Sequence, residues 1–284
     1  MSQRIIKKHN VELCTESFGN PQDPCILLIM GATASMIWWD EEFCQRLSNH
    51  HRFVIRYDNR DVGCSTCYEP GNPQYTVIDL ADDALSILDK YGITRAHLVG
   101  MSLGGMIAQI IAMKYSDRVI SVTAIASGIW DDLPELPQID QKVLEYHQKA
   151  SLLDWNDQKA VIEYMVGGWH ILNGSAHPFD EKRAFRLAET EIKRAKNLLC
   201  MFNHSLLKGG EELYGQASSI KVPFLIIHGT EDPVLPFVHA KVMHKTIGHS
   251  VLLRLEGSGH EIHYDEWDRV ITAILNHTEN SNQQ

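Results

Sequence analysis

An α/β fold, a mostly parallel sheet flanked by helices on both faces, is predicted by three features of the sequence. Short apolar runs alternate with helix-length amphipathic segments through the first half of the chain. Most of those runs are continuous rather than alternating, as expected of strands covered on both sides. A long stretch with helical patterning then interrupts the series before two more strands resume it, which reads as a helical cap inserted after the sixth strand.

The spacing predicts a half-buried strand over residues 11–18 and fully buried strands over 25–30, ending at Gly31, and over 52–57. Residues 76–91 have helical periodicity, with Ile78, Leu80, Ala81, Leu85, Ile87 and Leu88 as the apolar stripe and Gly92 as the stop. Further strands are expected at 96–99, 119–126, 222–227 and 250–255, and helices at 103–115 and 261–275. The core therefore comprises residues 1–128 and 220–277, the cap residues 129–219, and a polar tail over 278–284 that should fray.

With 284 residues, the chain is long enough to bury about 75% of its unfolded surface and to enclose a dry site. Its net charge of -10 disfavours nucleic acid and anionic lipid and suits a small neutral or cationic ligand. No stretch is apolar enough to span a bilayer, and the first residues, MSQRIIKKHN, lack the core of a signal peptide, so a cytoplasmic protein is expected. Cys14, Cys25, Cys44, Cys64, Cys67 and Cys200 are scattered, which favours free thiols over a disulfide framework. Cys64 and Cys67 have C-x-x-C spacing, but without a second pair a structural role outweighs a redox or zinc one.

Gly100-Met-Ser102-Leu-Gly104 fits G-x-S-x-G, and its place is more telling than its letters, which chance alone would supply in about one chain in ten. It falls where a strand gives way to a helix. A sharp turn there holds a serine in a strained conformation with its hydroxyl exposed, and the helix start offers free N–H groups to a developing oxyanion. A serine needs a base, and the base needs an orienting carboxylate. Asp232 and His260 follow in that order, each just beyond a strand, where open α/β sheets bind ligands. Asp131 and Asp132, after the strand that precedes the cap, are alternative acids. The backbone N–H groups of Ala32 and Leu103 are the expected oxyanion donors.

Met30-Gly31, Trp38-Trp-Asp-Glu-Glu-Phe43, Arg56-Tyr-Asp-Asn-Arg-Asp-Val-Gly63 and Gly100-Met-Ser-Leu-Gly-Gly105 together resemble the α/β-hydrolase superfamily, and within it the aclacinomycin methylesterase-like branch. Serine esterases that open the lactone of macrolide antibiotics are similar in the same segments. The resemblance runs from about Val11 to His277 and is weakest in the cap. It implies an α/β-hydrolase fold, a triad of Ser102, Asp232 and His260, and no cofactor. It also implies hydrolysis of a carboxylic ester or lactone, first of all a macrolide lactone (antibiotic inactivation) and next an anthracycline methyl ester. Serine in place of an aspartate nucleophile argues against dehalogenases and epoxide hydrolases of this fold.

Trp38, Met101, Trp130, Trp169, His170, Met201, Phe202 and His204 are the first candidates for a pocket lining, against the alternative that they pack the cap. No ligand spacing supports a metal site at His170 and His204. The expected partner is a small-molecule ester or lactone, and the chain is a monomer or homodimer. A C–C bond hydrolase or perhydrolase would use the same triad, and a non-catalytic ligand-binding protein would use the same fold.

Overall fold

A computed structural model describes residues 3–281. Eight strands form one sheet: β1 (Arg4–Lys8), β2 (Val11–Phe18), β3 (Cys25–Ile29), β4 (Phe53–Tyr57), β5 (Ala96–Met101), β6 (Val119–Ile125), β7 (Phe224–Gly229) and β8 (Val251–Leu255). Their order is β1-β2-β4-β3-β5-β6-β7-β8. β1 and β2 run antiparallel to their neighbours and the other strands are parallel. The helices are α1 (Glu41–Ser48), α2 (Val77–Lys90), α3 (Leu103–Lys114), α4 (Gln141–Gln148), α5 (Gln158–Leu172), α6 (Glu181–Arg194), α7 (Val238–Thr246) and α8 (Trp267–Ser281).

Strand periodicity divides the core in two. Cys25, Leu27 and Ile29 of β3 point to a layer shared with α2, α3 and α7, whereas Ile26 and Leu28 point to one shared with α1 and α8. Both faces are thus apolar, and β3 reads as an unbroken hydrophobic run for that reason. Local signals set the helix ends: Thr76 and Asp79 form a reciprocal capping box at the start of α2.

Between β6 and β7 the chain leaves the sheet and returns, forming α4, α5, α6 and short 3-10 turns. Val161, Ile162, Met165, Val166, Ala184 and Ala188 give this insertion a small core of its own. The main helices and strands match the expected ones to within a few residues. The charged strand β1 and the helices α1 and α7 carry weaker patterns that the sequence spacing does not pick out.

Three expectations are corrected. The last helix starts at Trp267 rather than Glu261, because the N–H of His260 donates to the Leu172 carbonyl (2.8 Å) and the side chain of His263 caps Asp265, holding 260–266 outside the helix. That helix runs to Ser281 instead of fraying from 278: Thr278 is buried and accepts a hydrogen bond from Arg52 Nε (3.0 Å). Residues 282–284 lie outside the described residues. Cys67 and Cys200 are joined in a disulfide rather than free, their Cα atoms 6.2 Å apart across a separation of 133 residues. The turn after β4 packs on the 3-10 helix Leu198–Leu206, a contact that no local spacing reveals.

Candidate active site

Ser102 joins β5 to α3 with φ 50° and ψ -119°, a left-handed backbone that costs a non-glycine residue of order 1–3 kcal/mol. Its N–H donates to the Ile125 carbonyl (2.9 Å), and Ser127 Oγ donates to its carbonyl (2.8 Å). The turn closes so tightly that a Cβ on Gly100 would lie 2.1 Å from the Gly104 carbonyl oxygen, and one on Gly104 would lie 2.1 Å from that of Ile29. Both positions therefore require glycine.

Beyond β7 the Asp232 carboxylate is buried and fully engaged. Oδ1 accepts from the N–H groups of Val234 (2.8 Å) and Leu235 (2.9 Å), and Oδ2 lies 2.8 Å from His260 Nδ1 and 3.2 Å from His228 Nε2. Burial would raise this carboxyl; the facing His260 and the hydrogen bonds from His228 and His260 outweigh it and hold the group well below the usual carboxylate range. Asp131 and Asp132 lie in the segment beyond β6, half-buried and exposed respectively, and neither is hydrogen-bonded to His260.

Ser102 and His260 both line one cavity of about 110 Å³ that opens to solvent. Met30, Gly31, Ala32 and Thr33 form its floor. Trp38, Met101, Trp169, Met201 and Phe202 stand in its wall as expected, and Trp38 and Trp169 stack with centroids 3.9 Å apart. Neither Ala32 nor Leu103 gives its N–H to another described residue, so both donors are available.

The other three expected contacts are elsewhere. Trp130 donates its indole N–H to the Gly210 carbonyl, and exposed His170 stacks on Phe179. His204 is buried behind the floor, bonded to Thr33 and Arg60. In their place the wall has His147, Tyr164, Met165, Gly168 and Leu172. Tyr164, Met165, Gly168, Trp169 and Leu172 are spaced along one face of α5, a signal the sequence does hold once a helix is placed over them.

Among the described residues, Cys14–Asp58–Cys64, Asp61–Cys67–Cys200 and His177–His263–Asp265 are the groups whose ligand atoms approach one another, and none lines the cavity. Asp58 is committed to Arg194 (2.8 Å), and His177 and His263 stack on one another. Burial pushes the thiols of Cys14, Cys25 and Cys44 up to about 12, which removes them as nucleophiles. No described helix is long and apolar enough to cross a membrane.

An elbow at the end of the central strand β5, with a buried His–Asp pair beyond the last two strands, β7 and β8, defines the class. The chain belongs to the α/β-hydrolase family: the profile of the alpha/beta hydrolase fold matches residues 24–160, and that of TAP-like proteins matches residues 195–274. More particularly, it is 30% identical to rhodomycin D methylesterases of Streptomyces sp. (strain C5) and Streptomyces peucetius, each alignment covering 98% of both chains. Its fold is that of an esterase from Exiguobacterium antarcticum, with a TM-score of 0.78 at 20% identity over 97% of this chain and 98% of that one.

Proposed function

We propose that the chain is a serine-dependent hydrolase that cleaves a carboxylic ester or lactone of a bulky polyketide. Its coarser class, a hydrolase acting on ester bonds, follows from its family and its full-length likeness to two methylesterases. What carries the finer reading is the strained Ser102 opening into the same cavity as His260, whose far nitrogen is held by Asp232.

Ser102 Oγ attacks the carbonyl carbon while His260 Nε2 takes its proton. The carbonyl oxygen becomes an oxyanion facing the N–H groups of Ala32 and Leu103. As the C–O bond breaks, His260 returns the proton to the departing alkoxide, which leaves as an alcohol or, from a lactone, stays tethered to the acyl group. His260 then deprotonates water, which releases the acid and restores Ser102. Asp232 holds the imidazole in one tautomer and stabilises its cation.

Two substrates are to be tried first, a macrolide lactone and the methyl ester of an anthracycline. The segments around Trp38 and Ser102 resemble esterases of both classes, and the names of the full-length relatives favour the second. Mass spectrometry separates them: opening a lactone adds one water, whereas removing a methyl ester loses one methylene. Labelling by a fluorophosphonate is expected in the wild type and absent in Ser102→Ala, which should hydrolyse neither substrate. Undiminished hydrolysis by Ser102→Ala would overturn the reading.

A further inference from the structure

Thr33, in the floor of the cavity, has φ 64°, a left-handed backbone that a β-branched residue adopts only when something holds it there. It directly follows Ala32, the proposed oxyanion donor. The orientation of the Ala32 N–H thus depends on how firmly the next residue is kept in its strained state.

The restraint comes from the insertion. His204, on the 3-10 helix Leu198–Leu206, is buried between two loops of the core. Its Nε2 lies 2.7 Å from the Arg60 carbonyl oxygen, which can only accept, so the ring hydrogen is on Nε2. Nδ1 is then an acceptor, and the N–H of Thr33 donates to it at 3.0 Å. Each ring nitrogen has one partner, and each partner suits only that tautomer. Met201 and Phe202, one turn earlier on the same 3-10 helix, line the cavity, so the segment that would meet substrate also grips the floor.

We propose that His204 is the positioning residue of the oxyanion loop: it holds Thr33 in its strained conformation and thereby aims the N–H of Ala32 at the reacting carbonyl oxygen. The oxyanion hole is complete only when the insertion is docked. This inference rests on the assignment of Ser102 and Ala32 above.

His204→Leu preserves bulk but leaves the Thr33 N–H and the Arg60 carbonyl unpaired. Losing one oxyanion donor typically costs about 10²–10³ in kcat. The expected result is a fall of that order in kcat/KM on a neutral ester, carried by kcat with KM nearly unchanged. Affinity for a trifluoromethyl ketone, which adds Ser102 Oγ to form an oxyanion, should fall by the same factor. His204→Gln, which has both a donor and an acceptor, should recover at least about tenfold. A loss carried by KM alone, or unchanged ketone affinity, would overturn the proposal.

Should His204→Leu fail to fold, the same two measurements on His204→Asn, too short to span both groups, decide the matter. If Ser102→Ala is inactive but the His204 variants keep kcat, only this inference fails. Full activity in Ser102→Ala would instead remove the reading beneath it.

Discussion

Two parts of the site are built on opposite principles. The elbow around Ser102 is held by the sheet itself: its N–H goes to the next strand at Ile125, its carbonyl to Ser127, and Gly100 and Gly104 leave room only for core backbone. The loops that carry Asp232 and His260 are held by the insertion. Residues 172–176, at the end of α5, meet both: the His260 N–H donates to Leu172 (2.8 Å), that of Ala176 to the Gly257 carbonyl (2.9 Å), and Ser175 binds the Glu231 carboxylate through its N–H (2.8 Å) and hydroxyl (2.7 Å). Ser102 is therefore placed by the core, and Asp232 and His260 are placed by a seam between core and insertion. On the proposed mechanism the insertion is part of the catalytic geometry as well as a wall of the pocket.

The largest effect should come from the acid at this seam. Asp232→Asn keeps the shape of the carboxylate but loses its charge, and the amide group favours the wrong imidazole tautomer; a drop of about 10⁴ in kcat is expected while the protein stays folded. Asp131→Asn and Asp132→Asn, outside the hydrogen-bond network of His260, should stay within a few-fold of wild type. Comparing turnover of the three on one ester, with circular dichroism as the check on folding, would sink the assignment if Asp232→Asn stayed active.

A smaller effect should follow from prying the seam open without touching a titratable group. A Cβ on Gly259 would lie 2.0 Å from the Leu172 carbonyl oxygen and cannot be accommodated without moving the insertion away from His260. Displacing a catalytic group by about 1 Å can cost about 10²-fold, so Gly259→Ala should lose about that much kcat. Gly248→Ala, whose Cβ would meet nothing within 4 Å, is the control and should leave kinetics unchanged. Equal rates in the two variants would show that the elbow and the base are positioned independently of the insertion.

The same contrast decides how much was legible in the sequence. Ser102 could be read because its constraint is local: glycines, a strand end and a helix start are neighbours along the chain. The pairing of Asp232 with His260 is legible through their strand ends and their order. His204 reads in the sequence only as a pocket candidate, because its partners Thr33 and Arg60 lie 171 and 144 residues away. The disulfide of Cys67 and Cys200 is illegible for the same reason, since it depends on where the insertion lands. Composition and spacing report what a segment does to itself; contacts across the seam arise only when the segments are packed.

The smallest effect concerns a third contact between insertion and core, and it appears as a pH dependence. Glu191 of α6 is buried; its Oε2 accepts from Ser35 Oγ (2.6 Å) and Trp38 Nε1 (3.2 Å), just beyond the loop that carries Ala32. Burial pushes its carboxyl up to about 7, a rise that the hydrogen bond from Ser35 only partly offsets. A raised acid binds its proton more tightly when folded. Between its ordinary value of 4.5 and about 7 the native state holds more protons than the unfolded chain, so this group's contribution to stability falls as pH rises through that window. Glu191→Gln keeps an acceptor for Ser35 and Trp38 but cannot ionise. The melting temperature of the wild type relative to this variant should therefore decline by a few degrees from pH 5 to pH 8. Taking the difference cancels the opposing histidines, including His204 and His263, which burial pushes downward. Parallel melting curves across that range would mean that Glu191 ionises freely where it sits, and that this end of the insertion is looser than the seam around Leu172.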